Sequence, residues 1–250
     1  MRVEPGGEGG KLMAQRVLGE SLRMLFGNFG TLFTLALAPS LLMEAVFLAV
    51  ADREMVAANP GALTPGIIWA ALISSLAGQV IVALVTLASV DGAAGHMRSL
   101  DFYFRTALNN LLPIVVLGTI VSVLAGFAAM FFLLPGLYVY AVFLVWLPCI
   151  LYEKLGYGAL GRAQRMSEGH RWPLVGAIGA LILIFLGVVI LLGPVWAAIA
   201  AGAGGIIAAL LSAAISALSY AIIGVFSALV YLRMRFLEEG TTANQVAESV

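Results

Sequence analysis

Long apolar stretches separated by short charged segments constrain the fold of this chain more than any other feature. About six such stretches occur, and each approaches the roughly 20 residues that a helix needs to cross the hydrocarbon core of a bilayer. Only 10% of the residues are charged, compared with roughly 25% in a soluble domain, so a soluble fold could not cover this apolar surface. The stretches also lack the alternation of a membrane barrel. The sequence therefore predicts an all-α, polytopic bundle of membrane-spanning helices.

Charged residues, prolines and glycines set the boundaries of the predicted spans. The segment Leu134-Pro135-Gly136 predicts a tight turn between the third and fourth spans, because Pro and Gly both stop helices. Pro148 interrupts the short fourth span, and Gly193-Pro194 with the glycine-rich run 202–205 separates the last two. The predicted spans are 29–50, 67–90, 112–134, 137–152, 174–193 and 206–232.

The charged segments between the spans predict the orientation in the membrane. Twelve of the 13 lysines and arginines fall on one side, and only Arg53 falls on the other. Basic residues are enriched in cytoplasmic loops, so both termini are expected in the cytoplasm. A cleaved signal peptide is the alternative for the first span, although its apolar run is longer than usual. The predicted domains are a cytoplasmic N-terminal segment with an amphipathic helix, a six-span membrane domain and a cytoplasmic tail, at residues 1–28, 29–232 and 233–250.

The segment before each odd-numbered span has the same character, which indicates a threefold repeat. Each segment is amphipathic at helical spacing and leads through an arginine and a helix-ending residue into a span. The aligned positions are Arg23, Arg105 and Arg165, then Asn28, Asn110 and His170, then Thr31, Pro113 and Pro173. The repeat unit would be an interfacial helix, an elbow and a two-span hairpin. Alternatively, the pattern reflects only the general placement of Arg and a helix breaker before a span.

Arginines at these elbows are the candidate basic sites. They are Arg23, Arg105, Arg162, Arg165 and Arg171. An amphipathic helix in the bilayer interface places its arginines among the headgroups, so anionic membrane lipids are the expected partners. The net charge of zero argues against nucleic acid. Small residues four apart in the last span allow close helix packing, within the chain or in a homo-oligomer, and a protein partner stays open.

Two polar side chains inside predicted spans are candidates for an intramembrane site. Glu44 lies six residues from the outer end of the first span, or roughly 9 Å deep at the helical rise per residue. An ionisable residue there suggests a transport-linked function, and a snorkelling or protonated structural Glu is the alternative. Gln79 in the second span has the same two readings, the structural one being an interhelical hydrogen bond.

The sequence offers no pattern of catalytic or metal-binding residues. The single cysteine, Cys149, excludes a cysteine-based metal cluster, and the two histidines lie in different loops. Asp91-Gly92-Ala93-Ala94-Gly95 resembles the start of the CDP-alcohol phosphotransferase motif, but the further aspartates of that motif are missing. A helix-ending turn is the simpler interpretation. No catalytic residue, metal site or cofactor is therefore predicted.

The stretch from Pro135 to Gly176 carries a family resemblance. It reads Leu134-Pro135-Gly136-Leu137-Tyr138, then Pro148 and Glu153, then Ala159-Leu160-Gly161-Arg162-Ala163 and Ser167-Glu168-Gly169-His170-Arg171-Trp172. This resembles the membrane domain fused to some bacterial glycerophosphoryl diester phosphodiesterases, and its stand-alone relatives. The resemblance implies six helices in a bacterial inner membrane. It does not imply phosphodiesterase activity, because that chemistry belongs to a soluble barrel domain, and no such domain is present in the sequence.

Three functions are compatible with these observations. The favoured hypothesis is a non-enzymatic membrane module that organises lipid or a partner protein through its basic amphipathic helices. A small transporter or channel would need polar residues on several spans, and only Glu44 and Gln79 qualify. A lipid-active membrane enzyme would need a clustered acid, base or metal site.

Overall fold

The computed structural model describes residues 10–50 and 65–249, and these ranges are helical with no strand. The ten α-helices of the described ranges are α1 (Gly10–Gly27), α2 (Phe29–Val50), α3 (Pro65–Ala94), α4 (Leu100–Asn109), α5 (Leu111–Phe131), α6 (Leu133–Phe143), α7 (Trp146–Glu153), α8 (Ala159–Met166), α9 (Arg171–Glu239) and α10 (Ala243–Ala247). The predicted all-α class is confirmed. The predicted outer loop with Arg53 lies outside the described residues.

Six helical stretches are long and apolar enough to cross a membrane, as the sequence predicts. They are Phe29–Val46, Ile68–Ala94, Leu111–Phe131, Leu133–Glu153, Arg171–Leu191 and Ile206–Glu239. Each overlaps one of the predicted spans. The chain is therefore a multi-pass membrane protein built as a helical bundle.

The turn between the third and fourth spans lies earlier than predicted. Phe132 alone separates α5 from α6, in extended conformation with φ −159°. Pro135 lies in the first turn of α6, where its missing N–H has no helical partner to lose. A Cβ on Gly136 would lie 2.7 Å from Ala129 Cβ, so this glycine allows the two helices to pack closely. The Pro-Gly pair therefore marks a helix start and a close contact, and the prediction of a turn there was wrong.

Pro148 divides the fourth span, as predicted. Helix α6 ends at Phe143 and α7 begins at Trp146. Pro148 has no N–H to donate to the carbonyl of Leu144, four residues before it. The Ser227 hydroxyl of α9 donates to that carbonyl instead, at 2.9 Å. A side chain from another span thus compensates for the hydrogen bond that the proline removes.

The last two spans belong to one continuous helical element, α9, which includes Pro194. A straight helix of 69 residues would extend roughly 100 Å. Leu174 and Ala177, however, line the same small cavity as Phe226 and Val230, so the chain reverses direction between them. The predicted boundary at Gly193-Pro194 does not interrupt the helix. The residues on the two sides of this segment nevertheless form separate candidate spans, Arg171–Leu191 and Ile206–Glu239.

The three predicted elbows share one local structure at the start of a span. The backbone N–H groups of Leu32, Ile114 and Leu174 donate to the carbonyls of Asn28, Asn110 and His170, at 3.1, 3.0 and 3.1 Å. All three donors are buried. Thr31, Pro113 and Pro173 each occupy the third position of their helix. The aligned positions therefore coincide at the start of each span, although one residue separates the helices at the first two elbows and four residues, 167–170, separate them at the third.

Small residues in the second half of α9 pack against α3 within the chain. Ala217 and Ala221 are fully buried, and a Cβ on Gly224 would lie 2.7 Å from Val85 Cγ1. Thr86 of α3 donates to the carbonyl of Gly224 at 3.4 Å. The sequence predicts close packing at Ala208, Ser212, Ser216, Gly224 and Ala228. Gly224 and Ala228 are buried, as predicted, whereas the first three are only half-buried and the packed stripe runs through Ala213 instead.

Candidate functional site

Charged side chains concentrate at one end of the bundle, where α1, α4, α8 and α10 lie; we call it the basic end. A set of partly buried charges joins three helices there, and we call it the carboxylate–guanidinium cluster. Its members are Glu153, Arg162, Tyr231, Arg235, Glu238 and Glu239. Arg162 of α8 contacts Glu153 at 3.0 Å and Glu238 at 3.1 Å, and also pairs with Glu239.

Arg235 and Tyr231 complete the same cluster. Arg235 contacts Glu153 at 3.2 Å and Glu239 at 2.9 Å. The Tyr231 hydroxyl accepts from Arg235 at 3.1 Å and donates to Glu153 at 3.2 Å. The carboxylates therefore neutralise both guanidinium groups inside the protein, and the cluster ties α7 and α8 to the end of α9.

The cluster also explains why the partly buried side chain of Arg162 stays charged. Its side chain is 18% exposed. Burial alone would lower the pKa of its guanidinium, but the Glu153 and Glu238 carboxylates outweigh that effect and hold the pKa above its usual value. Arg162 was predicted to meet lipid headgroups, yet its charge is paired within the chain. Sequence spacing could not show this, because Glu239 is 77 residues away.

A second buried cluster surrounds Asp91 at the end of α3. The carboxylate of Asp91 accepts from the Tyr103 hydroxyl at 2.9 Å and lies 3.6 Å from Arg98. The Arg98 backbone N–H donates to the Tyr103 oxygen at 3.0 Å. Burial raises the pKa of Tyr103 to about 12; the bond from Arg98 partly lowers it, and the charge of Asp91 adds to the rise. Arg98 also donates to the Ala247 carbonyl, which attaches α10 to this end.

The segment from Asp91 to Gly95 forms a helix-ending turn, which is the simpler of its two predicted roles. Gly95 has φ +79°, the left-handed conformation that ends many helices. The N–H of His96 donates to the Asp91 carbonyl at 3.0 Å, and that of Gly95 to Gly92 at 3.2 Å. These two bonds close the end of α3. With its side chain bound to Tyr103, Asp91 serves the fold.

The exposed arginines of the elbows are Arg23, Arg105 and Arg165. Arg105 contacts Asp101 at 2.8 Å, but both side chains are largely exposed. Helices α1 and α4 also expose apolar side chains at equivalent positions, which are Leu22 and Phe26 in α1 and Phe104 and Leu108 in α4. The first residues of the spans that follow, Phe29 of α2 and Leu111 of α5, are exposed as well. This combination of exposed Arg and exposed Leu or Phe is the surface of an interfacial helix.

Helix α8 does not fit the prediction of an interfacial helix. Its apolar residues Ala159, Ala163 and Met166 are buried against the bundle. Gln164 and Glu168 occupy the positions at which α4 exposes Phe104 and Leu108. The third repeat therefore packs its amphipathic helix into the protein.

Arg171 lines an open cavity of about 260 Å³ with Tyr138, Glu168, Gly169 and Trp172. Its guanidinium donates to the Tyr138 hydroxyl at 3.2 Å and lies 3.6 Å from Glu168. The ring centroids of Tyr138 and Trp172 are 5.8 Å apart. The sequence pattern identifies Arg171 as a candidate but not the two aromatic residues. The adjacent pair Arg171-Trp172 at the start of a span was the sequence signal that could have indicated this site, because aromatic residues are enriched at the membrane–water interface.

The two intramembrane candidates belong to neither cluster. Glu44 is half-buried in α2. Both amide atoms of Gln79 are buried without a hydrogen-bond partner among the described residues. Its side chain lies directly against Gly118 of α5, where a Cβ would come within 1.9 Å of Gln79 Oε1. Gln79 thus contacts a neighbouring span, but the predicted interhelical hydrogen bond is not formed within residues 10–50 and 65–249.

The described part of the chain holds no group of three His, Cys, Asp or Glu side chains that could bind a metal ion. Cys149 is buried. The carboxylates of the basic end hold guanidinium groups and a tyrosine, an arrangement that stabilises structure.

Neither a family model, nor a curated protein, nor a solved structure matches this chain. The resemblance to the phosphodiesterase-linked membrane domain therefore stays a prediction from the residues quoted above.

Proposed function

We propose that this chain is a non-enzymatic membrane module that organises anionic lipid at its basic end. The observation that carries the proposal is the shared surface of α1 and α4. Each helix exposes an arginine, Arg23 or Arg105, beside exposed Leu and Phe side chains. The apolar side chains suit the boundary of the acyl region, and the arginines suit the headgroups.

The magnitudes favour lipid as the ligand of this surface. A basic residue near an anionic membrane surface contributes about 1 kcal/mol. The internal clusters already pair Arg98, Arg162 and Arg235. Among the described residues, the exposed Arg23, Arg105 and Arg165 lie outside these clusters, and Arg105 pairs with the exposed Asp101, so their charges remain accessible to headgroups.

The proposal includes the cellular setting. With basic residues favouring the cytoplasm, the basic end faces inward from the inner membrane of a bacterium, as in the phosphodiesterase-linked membrane domains that the sequence resembles. Alkaline phosphatase fused after Pro60 should be active, and fused after Arg235 inactive. The opposite pattern would reverse the orientation and place the basic end outside.

Lipid retention by the purified protein tests the function. Protein in neutral detergent is titrated with phosphatidylglycerol or phosphatidylcholine of equal chain length, and bound lipid is counted by native mass spectrometry. We expect preferential retention of phosphatidylglycerol. Replacing Arg23, Arg105 and Arg165 together with Gln should reduce the preference at least tenfold, since each charge contributes about 1 kcal/mol.

Lys154→Gln is the matched control, because Lys154 is exposed at the same end but outside the three elbow positions. It should change the preference several-fold less than the triple variant. The proposal fails if the unmodified protein shows no preference, or if the triple variant retains it.

A further inference from the structure

We propose that the cavity beside Arg171 is a binding site for a phosphate ester, of the kind that a phospholipid headgroup carries. This inference deepens the proposed function, on which it rests, by assigning one defined site to the ligand. The cavity is lined by Tyr138, Glu168, Gly169, Arg171 and Trp172 and lies at the start of α9.

The first argument is the uncompensated charge of Arg171. Arg162 and Arg235 each have a carboxylate within 3.0 Å. The carboxylate nearest to Arg171 is Glu168, at 3.6 Å, and its side chain is 64% exposed. A solvent-exposed pair at this separation contributes little. Arg171 is 26% exposed, so a guanidinium that is mostly removed from water lacks a close counter-charge.

The second argument is an excess of hydrogen-bond donors around the cavity. Arg171 donates to the Tyr138 hydroxyl and, more weakly at 3.4 Å, to the Gln164 carbonyl. Its Nε–H is buried without an acceptor among the described residues. Because the Tyr138 oxygen accepts from Arg171, its own O–H remains to donate. A phosphate supplies several acceptor oxygens and the negative charge, and a guanidinium matches its geometry.

The third argument concerns the rest of the ligand. Trp172 is 71% exposed and lies against Tyr138 at the mouth of the cavity. Trp and Tyr are enriched where membrane meets water, because their rings are apolar and their polar atoms still form hydrogen bonds. A volume of about 260 Å³ accommodates a phosphate and a small alcohol but leaves the acyl chains outside. A lipid would therefore bind through its headgroup.

A substitution at Glu168 should have the opposite effect on binding from a substitution at Arg171. Its carboxylate lies where it would compete with the phosphate for Arg171. Glu168→Gln removes the competing charge and leaves the bonds from Arg171 to Tyr138 and Gln164 in place. It should tighten binding, whereas Arg171→Gln should abolish it.

The experiment follows the fluorescence of Trp172 in the full chain, with the other three tryptophans replaced by phenylalanine. Protein in neutral detergent is titrated with short-chain phosphatidylglycerol, with phosphatidylcholine and with glycerol 1-phosphate. We expect a saturable shift with phosphatidylglycerol. Arg171→Gln should weaken it at least tenfold and Glu168→Gln should strengthen it several-fold. Lys154→Gln, an exposed charge at the same end but outside the elbow positions, should change it less than twofold.

The outcomes separate the sources of the ligand and the two proposals. Saturation by glycerol 1-phosphate at concentrations similar to those of the lipid would identify a soluble phosphate ester as the ligand, and lipid-only saturation a headgroup. Equal losses from Arg171→Gln and Lys154→Gln would overturn the site. So would an unchanged or weakened response in Glu168→Gln, which decides the matter if Arg171→Gln does not fold. Lipid preference in the retention assay without any Trp172 response would overturn the site and leave the proposed function standing.

Discussion

Helices α4 and α8 come from equivalent positions of the repeat but lie in different environments. In α4 the apolar side chains Phe104 and Leu108 are exposed, and Arg105 pairs only with exposed Asp101. In α8 the apolar face is buried, and Arg162 lies among three carboxylates. One amphipathic pattern can therefore serve a membrane surface or a protein core, depending on which face carries the long side chains.

The largest expected effect is at Arg162. Arg162→Gln should lower the free energy of unfolding by about 1.5 to 3 kcal/mol, because Glu238 loses its guanidinium partner and the largely buried Glu153 keeps only that of Arg235. Thermal unfolding in detergent, followed by the loss of monodisperse protein, measures the change. A shift no larger than that of Arg105→Gln would show that the cluster does not stabilise the fold.

Exchanging the exposed positions of the two helices should have the next largest effect. Phe104→Gln with Leu108→Glu gives α4 the polar surface of α8, and should reduce phosphatidylglycerol retention severalfold by removing the apolar contact with the interface. Thermal stability should change little, since both side chains are exposed. Unchanged lipid retention in this variant would mean that α4 does not lie on the membrane.

The buried faces of the two helices differ at Tyr103, whose equivalent in α8 is the buried Ala163. The pKa of Tyr103 is raised to about 12, above its usual value of 10. A group with a raised folded-state pKa loses its stabilising effect as pH rises, so stability should fall between about pH 10 and 12. Tyr103→Phe should remove this fall from the unfolding profile. An identical pH profile in the variant would assign the alkaline loss to other groups.

The smallest expected effect is that of Arg105→Gln. Arg105 and Asp101 are one helical turn apart, and both side chains are largely exposed. Ion pairs of this kind contribute below about 0.5 kcal/mol to the free energy of unfolding. The melting temperature should stay within about one degree of the unmodified protein. A larger loss of melting temperature would show that the ion pair of Arg105 stabilises the packing of α4, as the ion pairs of Arg162 stabilise that of α8.

The sequence was sufficient for the features that depend on local pattern. Apolar length predicted the six spans, and the aligned Arg and Asn or Pro positions predicted three elbows with equivalent backbone bonds. Pro148 predicted a helix break, because the missing N–H is a local property. The turn at 134–136 was misplaced since Pro is as suitable for the first turn of a helix as for a stop.

The carboxylate–guanidinium cluster could not be predicted, because the residues that close it are distant in sequence. Tyr231 and Glu153 are 78 residues apart, and Arg162 and Glu239 are 77 residues apart. Nothing in the local pattern distinguishes Arg162, whose side chain is only 18% exposed, from the exposed Arg165. Gln79 shows the same limit, since its polarity was evident but its lack of a partner depends on how α3 packs against α5.

The break in the fourth span has a mechanical consequence. Because Pro148 removes one backbone hydrogen bond, α6 and α7 are two separate helices. The hydrogen bond from the Ser227 hydroxyl connects their junction to α9. Glu153 ties α7 to α8 and α9, whereas α6 packs closely against α5 at Gly136. The two halves of this single span are therefore anchored by different neighbours.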